Sequence, residues 1–280
     1  MKERLTITLD KSLLASIDAT IDGVNIRNRS HAIEQLLTSA ISRGKPKKAV
    51  VFAGGTPVMV DAKPTPVSMV MIKGKPIIDY IVDELRRNHI SEIIITIGKD
   101  SEGIFNHLGD GSSKGVAITY IKEEAPRGTE GVLESVKGKI GNEPFFALNG
   151  DHIFSIDMAD MYTQHLANKA IATVALTPAD SRSRFGVTNL AGNRITSFIQ
   201  KHEQGSSAAL VNAGIYLFNP EVFDLVGQVH GRVMIEERLF PKLVSMGKLF
   251  GYVFSGPWYS LDSTSSIQKS IKELENIASN

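Results

Sequence analysis

Residues 48–76 read KAVVFAGGTPVMVDAKPTPVSMVMIKGKP. Lys48 to Phe52 is a short apolar, β-branched run closed by Ala53-Gly54-Gly55-Thr56, the punctuation expected where a buried parallel strand ends beneath a ligand. Glycine lets the main chain approach an anion closely, and open α/β sheets hold their ligands at the carboxyl ends of the strands. Taken alone, a Gly-Gly pair also fits an ordinary turn.

Downstream of this stretch the pattern predicts strands at Ala49–Phe52, Ile93–Ile97, Ala117–Ile121 and Phe145–Leu148. They alternate with helices at Pro76–Asn88, Gly103–Leu108 and Thr129–Lys139. Such a βαβ succession predicts a Rossmann-like, mainly parallel α/β domain. Asn149-Gly150-Asp151 follows one of these strands. A last amphipathic helix, Thr264–Ile277, turns Ile267, Ile271 and Leu274 inward as packing.

From Lys47 to Ile271 the order of pieces resembles the sugar-1-phosphate nucleotidyltransferases. The signature of that family is a glycine-rich loop ending in GTR, then PK, a hydrophobic stretch and GKP. Here Gly74-Lys75-Pro76, Gly128-Thr129, Leu148-Asn149-Gly150-Asp151, Phe185-Gly186-Val187, Lys201, Asn212-Ala213-Gly214 and Asp262 carry the match. The resemblance implies a nucleotide and sugar site formed by Ala53, Gly54, Gly55, Thr56, Gly128, Thr129, Asn149, Gly150, Gly186, Gln200, Lys201 and Asn212. It also implies that Asp151 and Asp262 hold Mg²⁺ beside the phosphates. Asp151 reads otherwise as a turn cap, and Asp262 reads equally well as the cap of the helix starting at Thr264. His152 and His202 read as loop histidines without a role.

The departures from the family fall on phosphate handling. The loop is one residue short, Pro57 stands at the family's arginine and Val67 at its lysine. A triphosphate carries about four negative charges, and those two cations stabilise charge that grows during phosphoryl transfer. Pro57, Pro64 and Pro66 also remove three N–H donors, and Lys63 lies near Asp61. The expectation is a weak or inactive body. Gln200 and His202 replace the acidic residue and the proline that flank the family's lysine, and Glu130 replaces its alanine.

Residues 1–48 carry nine Lys/Arg against five Asp/Glu, and residues 49–280 carry 22 against 25. The excess of +4 in the first part suggests an anion-binding head. Arg4-Leu5-Thr6-Ile7-Thr8-Leu9 alternates with period two, as a half-buried strand does. Asp10 caps a helix bearing Leu13, Leu14, Ile17 and Ile21, and Asn28 caps a second with Ile33, Leu36, Leu37, Ala40 and Ile41. This layout resembles the ribbon-helix-helix repressors over Lys2 to Ser42. The resemblance implies an interlocked homodimer, or a tetramer built from it, on an inverted-repeat site in double-stranded DNA. Lys2, Arg4, Thr6 and Thr8 would face the bases and Asn28, Arg29 and Ser30 the phosphates. The expected organisation is a ribbon-helix-helix domain at 1–43, a linker at 44–47 and a nucleotidyltransferase-like domain at 48–280.

The chain of 280 residues has no cysteine, and 42% of it is apolar. No apolar run approaches the roughly 18 residues that cross a bilayer, and MKERLTITLD lacks the apolar core of a signal peptide. A cytoplasmic protein is expected. Two readings follow. The first is a DNA-binding transcriptional regulator whose degenerate body senses a nucleotide, sugar phosphate or nucleotide sugar. The second is a working transferase, joining a nucleoside triphosphate to a sugar 1-phosphate with release of pyrophosphate, to which the head is a regulatory addition.

Overall fold

The computed structural model describes residues 6–24, 26–41, 45–60, 62–99, 102–179, 187–199, 209–261 and 266–267. The chain divides into two units, Met1–Lys45 and Pro46–Asn280.

In the first unit, α1 (Lys11–Asp18) and α2 (Arg29–Ile41) begin where their caps predict. Asp10 Oδ1 accepts the Leu13 N–H at 2.8 Å, and Asn28 Oδ1 accepts the His31 N–H at 2.9 Å. Ile17 and Ala32 are buried, while Leu13, Leu36 and Leu37 stay exposed. Thr6 to Asp10 forms no strand, and Thr6 and Thr8 are exposed. An edge strand has no ladder to join within a single chain of this unit. Arg29, expected on a phosphate, instead places Nε and Nη2 on the two carboxylate oxygens of Asp18 at 2.6 and 2.7 Å. The side chain of Asn28 is occupied as a cap, and Ser30 is exposed in the first turn of α2. Lys2 and Arg4 lie outside the described residues.

In the second unit, β1 (Lys48–Phe52) runs into a tight antiparallel pair, β2 (Val58–Val60) and β3 (Lys63–Thr65). A 3₁₀ turn at Val67–Met69 and the small pair β4 (Met71–Ile72) and β5 (Lys75–Pro76) lead into α3 (Ile77–Arg87). There follow β6 (Glu92–Ile97), α4 (Glu102–Leu108), β7 (Ala117–Lys122), α5 (Gly128–Ile140), β8 (Phe145–Asn149), β9 (His152–Phe154) and α6 (Met158–Ala167). The remainder comprises β10 (Ala172–Ala179), β11 (Val187–Ala191), β12 (Arg194–Ile199), β13 (Ala209–Phe218), α7 (Val222–Leu225), α8 (Leu239–Ser245), β14 (Leu249–Val253) and β15 (Trp258–Ser260).

Among the described residues nine strands form one sheet in the order β10-β14-β12-β11-β13-β8-β1-β6-β7. Its β8-β1-β6-β7 half is parallel, as the βαβ succession predicts, and β13 joins β8 antiparallel. β1 is apolar along its length because both faces of the sheet are covered. Ala49 and Val51 pack with Ile78 and Leu85 of α3, and Val50 packs with Val132 and Val136 of α5. Of the last expected helix, only Ser266 and Ile267 are described, and both are helical and buried.

Candidate active site

Register aligns the carboxyl ends of three strands. Phe52 of β1 pairs with Thr96 of β6 on one side and with Asn149 of β8 on the other. The chain leaves β1 held on both sides: Ala53 donates its N–H to the Thr96 carbonyl at 3.0 Å, and Gly150 donates to the Phe52 carbonyl at 3.0 Å. At Gly150 a Cβ would lie 2.8 Å from the Phe52 oxygen, so the two main chains close up only around glycine. Above these ends opens a cavity of about 280 Å³. Its walls include Ala53–Thr56, Thr96, Glu123, Gly128–Thr129 and Asn149–Asp151.

Glu123 sits just beyond β7, tied there by its N–H to the Ile97 carbonyl at 2.8 Å. Only 9% of it is exposed, and among the described residues Oε1 has no hydrogen-bond partner. Burial pushes its pKa up, against the pull of the Arg127 main-chain N–H and charge. Gly54 makes room for this carboxylate, because a Cβ there would lie 2.2 Å from Oε2.

Asp151 is half-buried. Its Oδ1 lies 2.5 Å from His152 Nδ1, yet neither atom forms an aligned hydrogen bond. Burial alone would raise its pKa, but the neighbouring His152 ring outweighs that and holds it below the ordinary aspartate value. The His152 ring is buried and stacks on Trp258 at 5.3 Å between centroids, so it is a packed core histidine rather than an exposed loop residue. Leu261 donates its N–H to the Asp151 carbonyl at 2.9 Å, which brings the chain just before residue 262 beside Asp151.

Among the residues expected at the site, Ala53, Gly54, Gly55, Thr56, Gly128, Thr129, Asn149, Gly150 and Asp151 line one cavity. Asn212 is not among those lining it. Its amide donates to Tyr216 Oη and Glu236 Oε1, both at 3.0 Å, and its oxygen takes the Gly214 N–H at 2.9 Å. It therefore belongs to a partly buried polar cluster. Gly186, Gln200, Lys201 and Asp262 lie outside the described residues. Among the described residues no three His, Cys, Asp or Glu side chains cluster as a metal site.

Sequence reading missed Glu123, Ser68, Arg127 and Arg232 in the cavity wall. Ser68 is 2% exposed, and its hydroxyl has no partner among the described residues. Val67 and Thr56 do face the cavity, so the substituted lysine position is correctly placed and apolar. Glu130, which replaces the family's alanine, is wholly buried, and Arg238 Nε donates to its Oε1 at 2.8 Å.

Fold and cavity define an α/β protein with a glycine-floored ligand pocket at the ends of parallel strands. The chain belongs to the nucleotidyl transferase family, whose match spans residues 48–276. It is 29% identical to mannose-1-phosphate guanylyltransferase of Mycobacterium tuberculosis, over 81% of this chain and 64% of that protein. It is 26% identical to D-glycero-alpha-D-manno-heptose 1-phosphate guanylyltransferase of Aneurinibacillus thermoaerophilus, over 82% of this chain and 99% of that one. A Bacillus anthracis protein solved in complex with sucrose superposes with a TM-score of 0.73 at 27% identity, covering 80% of this chain and 94% of the other. The chain spans about 60% of the length of two plant relatives that it also matches.

These findings correct the first functional reading. The two curated relatives are named for guanylyl transfer to sugar phosphates and the Bacillus anthracis structure for thymidylyl transfer to glucose 1-phosphate, and the family match starts at residue 48 without reaching the two amino-terminal helices. The DNA-binding regulator with an inactive body and a double-stranded DNA partner is therefore withdrawn. The two missing loop cations are not by themselves a basis for inactivity, because Arg232 lines the cavity from a wall other than the loop. Among the described residues no helix is long and apolar enough to cross a membrane.

Proposed function

We propose that the chain is an active sugar-1-phosphate nucleotidyltransferase that uses GTP. The observation carrying this reading is the convergence of four parallel strand ends on one cavity, which gathers Ala53–Thr56, Thr96, Glu123 and Asp151. A buried carboxylate offers acceptors only, and guanine presents two adjacent donors, N1–H and the N2 amino group. Glu123 therefore suits guanine, which agrees with the guanylyltransferase names of the two curated relatives.

Asp151 fits a divalent ion. It offers an ionised carboxylate at the cavity wall, one oxygen of which meets His152, and Mg²⁺ binds through one or two carboxylates together with phosphate oxygens and water. In this reading Asp262, which follows Leu261 against Asp151, is the second carboxylate. The bound ion supplies charge neutralisation at the phosphates. The main chain of Gly54, Gly55 and Thr56 lies along the phosphate chain, the first turn of α5 holds the nucleoside, and Asn149 and Gly150 form the floor. Gly186, Gln200 and Lys201 extend the site on the sugar side. An oxygen of the sugar phosphate attacks the α-phosphorus of GTP. The α–β phosphoanhydride bond then breaks and pyrophosphate leaves, giving a GDP-sugar.

The test is pyrophosphate release with each common nucleoside triphosphate, paired with hexose and heptose 1-phosphates in the presence of Mg²⁺. The expected result is turnover with GTP, reduced at least about 10²-fold in Asp151→Ala. No release with any pair refutes the proposal.

A further inference from the structure

We propose that Arg232 supplies the positive charge that meets the ligand's phosphates, a task that Pro57 and Val67 cannot perform. This inference rests on the transferase reading above. Among the described residues, the cavity is lined by two cationic side chains, Arg127 and Arg232. Arg127 is committed elsewhere: it pairs with Glu134 and donates to the Val229 carbonyl at 2.9 Å, lying along α5. No described residue pairs with Arg232, whose side chain is exposed at the cavity wall.

The main chain beside Arg232 is clamped to the first turn of α5. Val233 donates its N–H to the Arg127 carbonyl at 3.0 Å and accepts the Glu130 N–H at 3.1 Å. Ile235 donates to Thr129 Oγ1 at 2.9 Å. Gly128, at φ +73°, leaves the space that this strap fills, since a Cβ there would lie 2.3 Å from the Val233 oxygen. The helix turn that walls the cavity thus fixes the backbone one residue from Arg232. A guanidinium unpaired among the described residues, carried on a fixed backbone, is available to phosphate oxygens, which it meets through paired N–H donors.

Charge bookkeeping points the same way. GTP brings about four negative charges. The described wall adds the carboxylates Glu123 and Asp151, and Arg127 is already neutralised by Glu134. Arg232 is the uncommitted cation of that wall.

The phosphate in question belongs either to the triphosphate or to the sugar 1-phosphate, and binding separates the two. Titration calorimetry of wild type, Arg232→Ala and Arg232→Lys would use GTP with Mg²⁺, mannose 1-phosphate and guanosine. Steady-state kinetics and thermal melts would accompany it. The expected result is a loss of about 10²–10³-fold in kcat/KM for Arg232→Ala, with partial recovery in Arg232→Lys and an unchanged melt. Guanosine affinity should hold. Weakened GTP binding assigns the contact to the triphosphate, and weakened mannose 1-phosphate binding assigns it to the sugar phosphate. An active wild type with an Arg232→Ala variant within two-fold of it on every measure overturns this inference alone, as does an equal loss of guanosine affinity. A wild type that neither binds GTP nor turns over overturns the transferase reading and this inference together.

Discussion

Replacing Glu123 with Gln separates recognition from folding, because the change keeps shape and exchanges one acceptor oxygen for a donor. The native carboxylate is 9% exposed with Oε1 unpartnered, and its pKa is raised chiefly by burial. Such a group strains the ligand-free fold. Leaving a buried polar atom unsatisfied costs about 1–3 kcal/mol. Gln carries no charge to desolvate, so the free variant should be at least as stable as wild type. A gain of about 1 kcal/mol would raise the melting temperature by about 2–4 °C for a domain of this size.

With GTP the sign reverses. Guanine's two donors then meet one acceptor and one amide donor, which removes a charge-assisted hydrogen bond worth about 1.5–3 kcal/mol. That amounts to about 10–150-fold in kcat/KM. Uracil presents a donor beside an acceptor, which the amide matches, so UTP should gain relative to GTP. Pyrophosphate release at low concentrations of each triphosphate, with thermal melts of the free protein, measures both effects. An unchanged ratio of GTP to UTP would remove Glu123 from the base site. A fall of several degrees in the melt would show the carboxylate to be a structural group.

Two further outcomes follow from buried ionisable groups. His165 is fully buried with Nδ1 2.8 Å from Thr173 Oγ1, and burial, outweighing an interaction with Asn219, holds its pKa at about 4 against an ordinary 6.5. Between those values the unfolded chain binds the extra proton, so stability falls as pH drops from about 6.5 to about 4, by about 3 kcal/mol in all. Urea melts across that range should show this slope in wild type and a shallower one in His165→Gln. Arg238→Ala leaves the wholly buried Glu130 carboxylate without its partner and should cost about 3–5 kcal/mol in urea denaturation. Glu130→Ala should cost less, because Arg238 is partly exposed and can turn to solvent.

The parallel half of the sheet was legible because its residues obey simple rules. β1, β6 and β8 are short apolar runs without alternation, as double-sided burial requires, and their boundaries fall within a residue or two of expectation. Asp10 and Asn28 marked helix starts through local hydrogen bonds that need no tertiary context. The other half was read only as separate motifs. In β13 the pairing with β10 shifts register between Asn212 and Tyr216, and Gly214 stands at φ +70°, so regular alternation does not give the direction of Asn212, whose amide meets Tyr216 and Glu236. A motif match places Asn212 on its strand, but the packing partner that decides its direction lies 24 residues away.

Glu123 and Arg232 were missed for related reasons. Glu123 and Glu124 are adjacent carboxylates after a strand, and only the way the chain leaves β7 buries the first and exposes the second. The predicted strand end was a usable signal, since residues just past parallel strand ends face the ligand. No such signal marks Arg232, which lies on an irregular strap more than 100 residues from the helix turn that anchors it.

The same separation explains why two substitutions in one loop misled the functional reading. A cation acts on a phosphate through distance and dielectric, and the field in a pocket sums over every wall. Pro57 and Val67 establish only that those two positions contribute no charge. They say nothing of α5 or of the segment around Arg232, whose proximity to the loop exists only once the sheet has formed. Inferring inactivity from missing motif residues therefore requires first counting the charges that the fold brings to the same cavity. Among the described residues that count includes Arg232, and Arg127 with its partner Glu134.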